Sequence, residues 1–269
     1  MSLSNTKWER VIGIVGGLGP HAHMELERQI LAETEKRLGR PAQDQDYPDW
    51  VVVSIPGTPD RTLAIREQAP DPVPNLTHAV KILDESADFA VVACNSAHAF
   101  LEEVRLRTQV PILDMVAVTA ERAAQYGDSI GLLATTGTIE NQLYTEAAAR
   151  AQVWVEFIAP LDLEGGPDLQ QDLVMEPIYG PVTMGGIDLG GIKSGALGNV
   201  VARDEIVGRL TDAALRLVDH GAQAIVMGCT EIPLALGHGE IGGVPLIDPM
   251  QVAAEAAVAI AAGERPLPV

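Results

Sequence analysis

The chain has 269 residues, a hydrophobic content of 47% and a formal net charge of −19. This length supports two domains with a substantial core, and the acidic balance excludes a nucleic-acid partner, whose phosphates need a basic face. No uninterrupted apolar run reaches about 18 residues, so no membrane span is expected; the opening Met-Ser-Leu-Ser-Asn-Thr-Lys-Trp lacks the apolar core of a leader, and two cysteines without a disulfide framework fit a reducing cytoplasm.

In chain order, Val/Ile-rich runs of strand length predict strands at 11–16, 50–55, 89–94, 110–114, 129–134, 153–158, 223–228 and 244–248. Such runs, apolar throughout rather than alternating, suit parallel strands buried on both faces. Helical patterns lie between them near 22–38, 74–86, 98–107, 116–126, 139–150, 203–219 and 250–262. The alternation predicts an α/β protein with a doubly wound parallel sheet in each half. Pro and Gly cluster at 56–59, 70–74 and 177–198 and mark loops. Asp114 marks a crossing from the first half to the second and Asp248-Pro249 a return. The expected domains are therefore 8–114 plus 245–264, and 115–244.

The two halves read as copies of one design. Val11-Ile-Gly13-Ile-Val-Gly16-Gly17 is matched by Ser129-Ile-Gly131-Leu-Leu-Ala-Thr135-Thr136-Gly137. Asp88-Phe-Ala-Val-Val-Ala-Cys94-Asn95-Ser96 is matched by Ala222-Gln-Ala-Ile-Val-Met-Gly-Cys229-Thr230-Glu231. Pro111 follows Cys94 by 17 residues and Pro245 follows Cys229 by 16. The glycine-to-cysteine spacing is 81 in the first half and 98 in the second, which places an insertion in the Gly-rich stretch near 179–198. Three coincidences in one order argue for internal duplication.

Each half thus carries one cysteine where an apolar strand ends. Ligands of open α/β sheets bind beyond the carboxyl ends of the strands. Inverting a carbon centre needs a proton removed on one face and returned on the other, a task for two thiols. Each cysteine is expected at the N-terminus of a following helix, whose N–H groups favour negative charge. Asn95-Ser96 and Thr230-Glu231 are candidate caps for those helices. The alternative for both cysteines is ordinary core packing.

These motifs resemble the cofactor-independent aspartate/glutamate racemase superfamily, and its aspartate racemase branch most. The resemblance rests on Gly13-Ile-Val-Gly-Gly-Leu-Gly-Pro20, Pro59-Asp60-Arg61-Thr62, Cys94-Asn-Ser-Ala-His98, Leu132-Leu-Ala-Thr-Thr-Gly-Thr-Ile139, Gly228-Cys-Thr-Glu-Ile232 and Pro245-Leu-Ile-Asp-Pro-Met250. It implies two pseudo-symmetric α/β domains with the active site in the cleft between them, no cofactor and a homodimer; no metal is expected, because His21-x-His23 has no partner cluster. It also implies that Cys94 and Cys229 exchange protons with the α-carbon of an amino acid, aspartate or glutamate first. By the same resemblance Asn95, Ser96 and Thr230 hold the α-carboxylate, Thr136 and Thr138 line the cleft, and Arg61 and Lys193 contact substrate carboxylates. Arginine suits that task because its fork grips both oxygens.

Some residues depart from the family pattern or keep two readings. The stretch Ile178–Lys193 is longer than in short aspartate racemases and reads as a lid or a specificity element. His21 and His23 stand where small or apolar residues are commoner and are expected to open the first helix. His98 is expected to orient its helix or the cysteine, and Glu231 to tune the second thiol or cap a helix. Asp60 is an ion-pair candidate for Arg61. Other readings are a racemase of another amino acid or hydantoin, a decarboxylase or cis-trans isomerase of the superfamily, a dinucleotide-binding dehydrogenase, a non-catalytic ligand-binding paralogue, and a pyridoxal phosphate enzyme. Gly13-Ile-Val-Gly16-Gly17-Leu-Gly19 misses the Gly-x-Gly-x-x-Gly spacing of dinucleotide sites, and no further phosphate-site pattern accompanies Lys193.

Overall fold

The computed structural model describes residues 8–184 and 186–268. The opening segment read for a leader lies, as far as residue 7, outside the described residues, as does residue 185 of the Gly-rich stretch. The chain forms two compact units: the described residues as far as Val118 together with those from Met250 onward, and Thr119–Pro249. Among the described residues no helix is long and apolar enough to cross a membrane.

The first unit is built on β1 (Ile12–Gly16), β2 (Trp50–Ser54), β3 (Phe89–Val92) and β4 (Ile112–Leu113), in the order β2-β1-β3-β4. All pairs are parallel, with Ile12 opposite both Trp50 and Phe89. Both β1 and β3 are wholly buried, as their unbroken apolar runs require. Gly13 sits mid-strand because a Cβ there would lie 2.9 Å from Leu83 Cδ1 and 3.0 Å from the Phe89 carbonyl oxygen. The helix Pro20–Leu38 starts with proline in its first turn, where no N–H is needed, and ends at Gly39 in left-handed conformation. The closing helix Pro249–Ala261 belongs largely to this unit; Glu9 N–H donates to the Ala261 carbonyl at 2.8 Å and Arg10 Nη1 to that of Ile260 at 2.7 Å.

The second unit repeats the plan with β5 (Ser129–Leu133), β6 (Glu156–Ile158), a hairpin of β7 (Thr183–Met184) and β8 (Ile187–Asp188), then β9 (Ile225–Met227), β10 (Glu240–Ile241) and β11 (Val244–Ile247). The main sheet runs β10-β11-β9-β5-β6, and its parallel part reproduces the first sheet's order. Gly131 matches Gly13: a Cβ there would lie 2.4 Å from Ile225 Cδ1. The helix Val200–Asp219 buries Ala202, Ile206, Leu210, Ala213, Ala214 and Leu217 at helical spacing against this sheet. Burying each of the larger side chains stabilises by about 1.5–3 kcal/mol. Asn199 starts it by accepting from Val201 N–H at 2.9 Å and Ala202 N–H at 3.2 Å.

Several expected boundaries shift. Residues 115–118 stay with the first unit, so the division falls inside the helix Met115–Ala123, which Asp114 Oδ1 opens by accepting Ala117 N–H. Residues 245–249, expected in the first domain, lie in the second because β11 pairs with β9. β10 is antiparallel to β11, so the second sheet carries one antiparallel edge. The predicted helix 139–150 is broken at Gln142, which has φ of 49°. The stretch 177–198, expected as loop, contains the β7–β8 hairpin and two 3₁₀ turns, Ile192–Ser194 and Ala196–Gly198.

Candidate active site

Cys94 and Cys229 occupy equivalent positions. Each follows by two residues the end of a strand that pairs on both sides within its sheet, β3 after Val92 and β9 after Met227. Both thiols are free and buried, 5% and 6% exposed. In each sheet this strand and its neighbour, β1 or β5, form the switch point where the winding reverses, and ligands of open α/β sheets bind there.

In the first unit Cys94 Sγ lies 3.4 Å from Ser96 Oγ. Both Asn95 and Ser96 are buried, and neither side chain caps the 3₁₀ turn Ser96–Phe100, contrary to the capping expectation. His98 fixes this loop. Its Nε2 accepts Met115 N–H at 3.2 Å, so the ring proton is on Nδ1, which donates to the Cys94 carbonyl at 2.9 Å. The ring therefore ties the cysteine loop to the helix at Met115 and has neither nitrogen left for proton transfer. Burial pushes its pKa below the ordinary imidazole value, against the pull of nearby Asp114. An unfolded histidine takes up a proton near pH 6.5. The unfolded state thus binds more protons below that pH, and the fold loses stability as pH falls. The drop in urea midpoint between about pH 8 and about pH 5.5, which bracket the free imidazole value, is expected to shrink in His98→Gln; an equal drop in both proteins assigns the dependence elsewhere.

Arg61 is buried, and its guanidinium donates to backbone carbonyls: Nη2 to Leu18 at 2.8 Å, Nη1 to Pro59 at 3.0 Å and to Thr58 at 3.3 Å. It binds the loop after β1 to the loop after β2. Asp60 Oδ1 accepts Leu63 N–H and caps the helix Arg61–Ile65. His21 is exposed at the start of the first helix. His23 Nδ1 accepts Gly17 N–H at 3.3 Å, and its ring fills the space beside Gly16, where a Cβ would lie 2.6 Å from it.

In the second unit Thr138 Oγ1 and Thr135 Oγ1 are 3.2 Å apart, and Thr136 N–H points to Met175 sulfur at 3.3 Å. Gln170 Nε2 holds the loop by donating to the Ala134 carbonyl at 2.9 Å. Cys229 Sγ donates to Glu231 Oε2 at 3.0 Å, and Thr230 Oγ1 donates to the same oxygen at 3.1 Å. Lys193 Nζ donates to the other oxygen, Oε1, at 2.6 Å and lies 5.4 Å from the centre of the Tyr179 ring. Glu231 is 4% exposed and does not cap the helix Ile232–Leu236 through its side chain. A buried carboxylate needs such partners.

Their titrations are coupled. Burial and then the Glu231 carboxylate push the Cys229 thiol well above the ordinary range. Burial would also raise Glu231, but Lys193 and the thiol and hydroxyl donors hold it below the usual carboxylate value. Burial would lower Lys193, but Glu231 overrides that and raises it. The Glu231 contact to Cys229 was legible in sequence only as a tuning role. Tyr179 and Gln170 carry no sequence signal that marks them.

The family model for Asp/Glu/Hydantoin racemase matches residues 15–257. Among curated proteins, the broad specificity amino-acid racemase RacX of Bacillus subtilis is 29% identical over 50% of this chain and 58% of its own length. A glutamate racemase of Corynebacterium kroppenstedtii is 29% identical over 58% of this chain and 46% of its own. The chain thus spans about half the length of the curated relatives it matches. Among solved structures, Picrophilus torridus aspartate racemase has TM-score 0.70 at 23% identity, covering 95% of each chain. Glutamate racemase isoform RacE1 of Bacillus anthracis has TM-score 0.58 at 17% identity, covering 97% of this chain and 85% of its own. At these identities the solved structures speak to the fold.

Proposed function

Because this chain belongs to the Asp/Glu/hydantoin racemase family, we propose that it racemises a free amino acid, with Cys94 and Cys229 as the two proton-transfer groups. One observation carries the reading: two buried thiols stand two residues past the ends of equivalent strands in sheets of one order. A chance core cysteine has no reason to recur at that position in both halves.

In the reaction one cysteine, as thiolate, removes the α-proton. The resulting carbanion is planar and delocalised into the α-carboxylate, so a proton from the other thiol inverts the centre. Donors aimed at that carboxylate lower the barrier most, because they meet charge as it develops. Asn95, Ser96 and Thr230 are proposed for this task, with Thr136 and Thr138 lining the site and Arg61 and Lys193 contacting carboxylates. No cofactor is needed, and the acting form is proposed to be a homodimer in the cytoplasm.

The proposed substrate is aspartate or glutamate, as the names of the glutamate and aspartate racemase relatives suggest. A neutral side chain is the second reading, favoured by the engagement of Lys193 with Glu231 and of Arg61 with carbonyls. Incubating the metal-stripped protein with L-aspartate in deuterium oxide is expected to yield α-deuterated D-aspartate. Turnover only with a neutral amino acid favours the second reading. Inactivity on a panel of acidic and neutral amino acids, or dependence on added NAD or pyridoxal phosphate, overturns both.

A further inference from the structure

The two thiols have chemically different partners at the same register position, two residues beyond each cysteine. Ser96 stands there in the first unit and Glu231 in the second. A hydroxyl both donates and accepts, so Ser96 can accompany Cys94 as thiol or as thiolate. An ionised carboxylate only accepts. Glu231 is kept ionised by Lys193 on Oε1, and its Oε2 receives Thr230 and Cys229. A thiolate at residue 229 would set a second anion 3.0 Å from Oε2. Lys193 offsets this in part, but it is bound to the far oxygen and lies over the Tyr179 ring.

We propose that Glu231, held ionised by Lys193, keeps Cys229 as the protonated thiol, so that Cys229 is the proton donor of the resting protein and Cys94 the sulfur that receives the substrate's proton. Glu231 is then a positioning residue: it acts through Cys229. Resting on the racemase reading, the first turnover moves the substrate's α-proton to the Cys94 thiolate and the Cys229 proton to the opposite face of the carbanion. It leaves Cys94 as thiol and Cys229 as thiolate. Repulsion from Glu231 then favours return of a proton to Cys229, taken from solvent or from the α-carbon of the opposite antipode. The resting form is therefore matched to one antipode.

The test is the infrared S–H stretching band of Cys229, isolated as wild type minus Cys229→Ala, in the full chain without substrate. The band is expected to persist from about pH 7 to beyond the ordinary thiol value near 8.5. In Glu231→Gln the acceptor charge is gone while Lys193 remains, so the band is expected to titrate away at least about one pH unit lower, a tenfold shift in the ionisation constant. Glu231→Ser, which puts at this position the hydroxyl that Ser96 supplies in the first unit, is expected to move it in the same direction, and this variant decides the matter should the glutamine variant fail to fold. Absence of the Cys229 band at neutral pH in wild type, or a midpoint unmoved by Glu231→Gln, overturns the inference. Since no substrate is present, failure to find racemisation leaves these spectra decisive on their own. Racemisation with an unmoved band sinks this inference and spares the activity.

Discussion

Cys94→Ala and Cys229→Ala are each expected to lower racemisation of the substrate by about 10²–10⁴-fold or more, the usual contribution of a positioned acid or base. The loss is chemical, because each substitution removes one sulfur from a buried site and leaves the strand end otherwise intact. The two variants are expected to differ in deuterium exchange. With Cys229 removed, Cys94 still takes and returns the α-proton of one antipode, so that antipode gains deuterium without inverting. With Cys94 removed, exchange moves to the other antipode and is slower, since Cys229 faces a carboxylate. Proton NMR of L- and D-aspartate in deuterium oxide, followed by chiral chromatography, separates the outcomes. Full racemisation by either variant would end the two-thiol mechanism.

The second large effect is on stability. Gly17 has φ of 80°, and a Cβ there would lie 2.5 Å from Ile55 N and 2.6 Å from the Ile55 carbonyl carbon. Neither atom belongs to a flexible side chain, so the loops after β1 and β2 must part. Gly17→Ala is expected to cost about 3 kcal/mol, summing left-handed strain and overpacking. It also separates Leu18 from Arg61, which spans the same two loops. Tryptophan fluorescence in urea reports this well. Trp8 and Trp50 are in the first unit and hydrogen-bonded, whereas Trp154 in the second is 93% exposed and changes little on unfolding. An unchanged midpoint would show that the loops yield freely.

The strands were legible because parallel strands buried on both faces must be apolar throughout, and β1 and β3 are, as is β5 after Ser129. Their ends were less so. Ala93 and Cys94 continue the apolar run after Val92, the last ladder residue of β3. The helical stretch from Gly166 to Tyr179 was missed because Gly165-Gly166-Pro167 reads as a breaker. In the structure Gly165 is left-handed at the cap and Pro167 sits in the first turn, where its missing N–H costs nothing. At the site, duplication pointed to Cys94 and Cys229 where composition alone could not. The partners of Arg61 and Glu231 were hidden because both side chains also reach loops distant in sequence, Arg61 the Leu18 carbonyl and Glu231 the Lys193 ammonium. Nothing in residue type tells a buried arginine on carbonyls from one awaiting a ligand.

The matching order of the two sheets carries an evolutionary consequence. Copies of one ancestral half would have begun with identical surroundings for both sulfurs, and such a pair has no built-in preference for either mirror-image form. Ser96 and Glu231, at corresponding places, record the divergence. On the proposed two-thiol mechanism, a preference for one antipode is then an acquired trait of an inherited symmetric plan, and exchanging the residues at positions 96 and 231 is expected to reverse it.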